Sequence, residues 1–178
     1  VCALLVSALA TSASWWQTHV VAQQLQAQVW PYLTITGTVS DKEISYAIGN
    51  DGLGPAVIRS VVLTVDGKPQ QTVVEAMHAL IGRIGNQAHE LSTAAPGAGS
   101  VIRVGGSVTM FRLTSAVLAP KLARQAGRVT LRVCYCSIVG GCWLKESQQS
   151  DPRIVASCPD AGADQLREAP LGAPPGSL

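Results

Sequence analysis

Four cysteines crowd one short stretch of this chain: Cys134-Tyr135-Cys136, then Cys142, then Cys158. In an oxidising compartment such a cluster forms two disulfides. A hairpin turning at Val139 places Cys136 opposite Cys142, within disulfide reach if the two are directly cross-strand. Cys134 can then pair with Cys158 and tie the tail to the sheet. Three connectivities are open, and spacing does not choose among them. Closing a loop of roughly 15–25 residues contributes on the order of 3 kcal/mol. A four-thiolate zinc or iron–sulfur site usually uses two C-x2–4-C pairs, which C-x-C with one distant partner fits poorly. The redox pair C-x-x-C is absent. Structural disulfides are therefore the expectation, with no metal and no cofactor.

Other chemistry finds little support. His78 and His89, with Glu75 and Glu90 nearby, resemble a ligand set, but Glu75 and His78 lie three apart on one predicted helix as an ordinary surface pair. There is no H-E-x-x-H and no G-x-S-x-G, and Gly105-Gly106-Ser107 lacks the trailing glycine of a nucleophile elbow. The run Gly49-Asn50-Asp51-Gly52-Leu53-Gly54 lacks both G-x-G-x-x-G order and a Walker lysine, so it reads as a turn. The eleven carboxylates are scattered singly. No catalytic residue is assigned, and no enzyme is expected.

The elements that position the cysteines are mainly strands. Leu33, Ile35 and Gly37 alternate with threonines, and Ile44, Tyr46 and Ile48 with polar or small residues, as half-buried antiparallel strands do. A longer apolar run over Ala56–Val65 ends at Asp66-Gly67, a strong hairpin signal. Residues 72–84 place Val73, Val74, Met77, Leu80, Ile81 and Ile84 on one helical stripe. Residues 85–100 read as loop, 101–113 as strand broken at Gly105-Gly106, and 115–126 as a short helix weakened by Pro120. In 128–138, Val129, Leu131, Val133 and Tyr135 share one face, with Cys134 and Cys136 on the other. The core must come mainly from Val, Leu, Ile and Ala, since aromatics are 4% and Phe111 is the single Phe.

The motif N-x-G-x-G-P-A, here Asn50 to Ala56, followed by V-D-G-K-P, here Val65 to Pro69, resembles bacterial immunoglobulin-like modules of the cell-adhesion-related class. That resemblance covers about 30 residues and implies an Ig-like antiparallel β-sandwich, here with one or two short helical insertions. More loosely, the anchor, the Trp30-Pro31-Tyr32-Leu33 entry and the CYC-CW segment resemble uncharacterised single-pass bacterial proteins with a periplasmic domain. Neither resemblance carries catalytic residues onto this chain.

The first forty residues contain no Lys, Arg, Asp or Glu. Residues 1–16 are apolar or small and read as a transmembrane helix, while 17–31 form a glutamine-rich helical stalk that ends before Pro31. Sixteen helical residues span about 24 Å against a hydrocarbon core of roughly 30 Å, so the helix is expected to begin before Val1. A cleaved signal peptide ending near Ser12-Ala13-Ser14 is the competing reading. Trp15, Trp16 and Trp30 suit a membrane interface, and Ala3, Ser7, Ala10 and Ser14 recur at spacing that allows close helix packing in lipid. The soluble domain is expected over 32–158 and a Pro/Gly-rich tail over 159–178, lying against its own domain or a partner. With 13% charged residues and net charge +2, nucleic-acid binding is not expected. The composite expectation is a bacterial inner-membrane protein with its domain in the periplasm. Its partners would be the bilayer and other membrane-protein subunits, in an accessory role within a respiratory, photosynthetic or similar assembly. The alternatives are a periplasmic ligand-binding or adhesion module, or a metal- or thiol-handling protein.

Overall fold

The structure is a computed structural model that describes residues 2–83 and 90–168. It is mainly β, with two antiparallel sheets and few helices. A helix α1 over Cys2–Gln28 leads in, followed by β1 (Leu33–Val39) and β2 (Glu43–Asn50). Then come β3 (Ala56–Val65), β4 (Lys68–Gln70), helix α2 (Val73–Ile81), β5 (Glu90–Thr93), β6 (Val101–Ile102) and β7 (Ser107–Thr114). Helix α3 (Leu118–Ala123), β8 (Val129–Cys136), β9 (Cys142–Glu146) and β10 (Arg153–Val155) complete the order. One sheet runs β1-β2-β7-β5, the other β10-β9-β8-β3-β4, with β6 also on β3.

The period-two pattern explains which faces turn inward. Leu33, Ile44, Ile48 and Leu113 from the first sheet meet Ile58, Val61, Val133 and Tyr135 from the second in one buried core. A buried hydrogen bond also crosses between the sheets, from the Leu33 amide to the Tyr135 hydroxyl oxygen at 3.2 Å. The β3–β4 turn places Asp66 at φ 50° and Gly67 at φ 76°, the two left-handed positions of a type I′ hairpin. In α2, Thr72 accepts from the Glu75 amide and the Glu75 carboxylate accepts from the Gln71 amide. That reciprocal cap engages Glu75, the carboxylate three residues before His78. Val73, Ala76 and Met77 form the buried stripe of α2.

Several expectations need correction. No helix among the described residues is long and apolar enough to cross a membrane. The physical reason is composition: α1 continues without a break through Gln17, Gln23, Gln24, Gln26 and Gln28, so its apolar part is only about half of it. Residues 17–28, expected to be helical, form the second half of that same helix. The stretch read as loop contains β5, whose Leu91 pairs with Leu113. Strand β10 was hidden by its brevity; it pairs Ile154 with Trp143. Ile84 and His89 lie outside the described residues, as do 169–178 and the side chain of Ala3.

The start of the tail is part of the fold. Strand β4 covers β3 at Leu63–Val65 and β6 covers it at Ala56 and Val57, leaving a gap between. There the Val61 amide donates to Gln165 Oε1 at 3.1 Å, and the Val61 carbonyl accepts from the Leu166 amide at 2.8 Å. Leu166 is buried in the core. This segment closes an edge that would otherwise present unpaired backbone groups.

Candidate functional site

The four clustered cysteines sit where β8 turns into β9. Glycines at positive φ, Gly140 and Gly141, reverse the chain and bring Cys136 directly opposite Cys142. Both disulfides are present: Cys136–Cys142 with Cα atoms 4.1 Å apart, and Cys134–Cys158 with Cα atoms 5.7 Å apart. Cys134 is buried, while Cys142 and Cys158 are half-buried. The two bonds nearly touch, with Cys136 Sγ 3.8 Å from Cys158 Sγ. Three of the sulfurs, those of Cys136, Cys142 and Cys158, fall within 4.8 Å of one another. Sulfurs engaged in disulfides are not thiolates, so this grouping is not a metal site as it stands. Tyr135, between the two strand cysteines, stacks on Trp143 at 5.9 Å. Burial pushes its hydroxyl pKa up to about 12, opposed in part by the Leu33 amide donating to its oxygen.

A second constellation surrounds Asn50, which is fully buried. Its side chain accepts from the Tyr32 and Gly52 amides and donates to the Gly54 and Ile102 carbonyls, at 2.8–3.2 Å. All four bonding positions of the amide side chain are thereby used. The turn read as joining two strands also grips the junction between α1 and β1. The Trp30 carbonyl accepts from the Leu53 amide at 2.8 Å and the Tyr32 carbonyl from the Asp51 amide at 2.9 Å. A Cβ on Gly54 would lie 2.0 Å from the Val29 carbonyl oxygen, and one on Gly52 would lie 2.3 Å from the Tyr32 nitrogen. These two glycines are required by close backbone approach.

Of the predicted interface residues, Trp30 lies on this gripped junction, while Trp15 and Trp16 lie midway along α1. Trp15 is 71% exposed and Trp16 69%; Trp30 packs edge-on to Tyr32 at 5.4 Å. Trp15 also stacks on His19 one turn later, at 5.8 Å. Ser7, Ala10 and Ser14 are exposed, and no described side chain of α1 belongs to the core. Helix hydroxyls turn inward: Thr11, Ser14 and Thr18 donate to the carbonyls of Ser7, Ala10 and Ser14, respectively. Such bonds satisfy a hydroxyl without water.

A third feature has no local motif in the sequence. An apolar cavity of about 170 Å³ opens between the sheets, at the end covered by α2 and α3. Left dry, a void of that size costs up to about 4 kcal/mol. Its lining comes from six elements far apart in the chain, so no local spacing announces it. The available signal was composition: both methionines of the chain, Met77 and Met110, and its single Phe, Phe111, line this one space.

No protein-family model, no curated protein and no solved structure matches the chain.

Proposed function

We propose that the protein is a non-catalytic accessory subunit. In this reading α1 seats it at a bacterial inner membrane, and its β domain, on the periplasmic side, meets partner membrane proteins. The observation that carries the proposal is α1 itself. It is 27 residues long and without charge, and its described side chains face away from the core, with adjacent tryptophans exposed. Trp15, Trp16, Val20 and Val21 leave apolar surface uncovered along it, and such surface favours a non-aqueous neighbour. Its inward-turned hydroxyls suit that neighbour being lipid or another helix. The tight clasp at Gly52 and Gly54 supports the same reading, because it couples the helix to the domain rather than leaving a free tether. Two disulfides favour the oxidising side of the membrane. We read the two-sheet domain as an Ig-like sandwich, supported by its antiparallel sheets sharing one core, with α2 and α3 as the departures. Detergent extraction of the source membranes, followed by native electrophoresis, tests the proposal: migration within a larger assembly is expected, and a lone monomer contradicts it.

A second reading, a ligand-binding module, is favoured by the interior cavity.

A further inference from the structure

We propose that the cavity beneath α2 and α3 is a binding site for a small uncharged apolar molecule, about the size of one aromatic ring. Its volume of about 170 Å³ matches the order of void, about 150 Å³, that holds a benzene molecule in an apolar protein interior. No charged residue and no histidine lines it, so a charged ligand would enter without a counter-charge. The lining is adaptable where it matters. Met77 reaches it from α2 and Met110 from β7, and unbranched thioethers repack around varied shapes and favour contact with aromatic rings. Tyr46 and Phe111, stacked at 5.5 Å, form part of the wall. Polar groups stand near the rim. Ser147 Oγ accepts from the Leu131 amide at 3.0 Å, and the Gln148 side-chain amide donates to the Val129 carbonyl at 3.4 Å. Gly127 and Gln148 are exposed, which makes the space accessible from solvent. A ligand with one hydroxyl would point it at this rim and bury its ring between the methionines. This site does not depend on the membrane placement of α1.

The two methionines make the test direct. With methionine methyl groups carbon-13 labelled, Met77 and Met110 each give a methyl resonance that reports on the cavity. Titration with toluene is expected to move both in a saturable way, while benzoate, its charged counterpart, moves neither. Ala76→Leu, which fills the space from α2, is expected to weaken toluene binding about tenfold or more. Leu80→Phe, at the half-buried edge of the same helix, provides an independent block if the first variant folds poorly. The proposal is overturned by methyl signals that stay still or shift without saturation. It is equally overturned by benzoate binding as well as toluene, or by filled variants that bind toluene like the parent chain.

Discussion

At the scale of single residues, the cysteine cluster and the tyrosine within it make the sharpest predictions. Tyr135 is neutral in the fold up to a pKa of about 12, whereas an exposed tyrosine ionises near 10. Its folded value is raised, so the stability it contributes is complete below pH 10. That contribution is then lost as pH rises through 12, by on the order of 2 kcal/mol. Tyr135→Phe is expected to remove this part of the alkaline loss in denaturant titrations at pH 9 to 12. At neutral pH the same variant should cost about 1–3 kcal/mol, because the buried Leu33 amide loses its acceptor. The neighbouring sulfurs predict a specific rearrangement. In Cys142→Ser, Cys136 becomes a free thiol 3.8 Å from Cys158 Sγ. Its thiolate attacks that sulfur, forming Cys136–Cys158 and releasing Cys134 as thiolate, a redox-neutral exchange. Peptide mapping of the variant after incubation at pH 8.5 without reductant should recover both pairings, and recovery of Cys134–Cys158 alone would count against it.

At the scale of elements, the clasp and the returning tail do work that their composition conceals. Gly54→Ala places a methyl group against the Val29 carbonyl, so the α1–β1 junction must move. The expected outcome is a destabilised domain and greater solvent exposure of Trp30, read by its fluorescence quenching. An unchanged quenching profile would show that the clasp yields without displacing the junction. Leu166→Ala should cost about 2–4 kcal/mol, since this leucine is 2% exposed and its loss leaves a cavity beside β3. Chemical denaturation measures that directly. Much of this layer was legible in the chain: the alternation of β1 to β3, the Asp66-Gly67 hairpin and the stripe of α2 all follow from local patterning. What was not legible depended on distant partners. Leu166 sits in a segment too polar to pack alone, and only the gap on β3 gives it a place. Asn50 read as an ordinary turn residue, because its four partners come from three separate parts of the chain. Strands β5 and β10 are short and lie at sheet edges, where their pairing outweighs weak intrinsic preference.

At the scale of the molecule, a disulfide-stapled β domain carries a long helix through a hydrogen-bonded junction and holds an apolar space. The cysteines cluster in one short stretch of sequence, whereas the cavity exists only in the fold, since its methionines lie on a helix and on a strand of the first sheet. None of the helix's described side chains belongs to the domain's core, and the proposed accessory role turns on what covers them. The decisive measurement is native electrophoresis of gently extracted source membranes, with quantitative mass spectrometry of whatever co-migrates. It compares the parent chain with the Trp15→Ser/Trp16→Ser variant. The expected result is a larger assembly in which the chain keeps a fixed ratio to other membrane proteins, and from which the variant is depleted while its domain stays folded. A lone monomer, or equal incorporation of parent and variant, would contradict it.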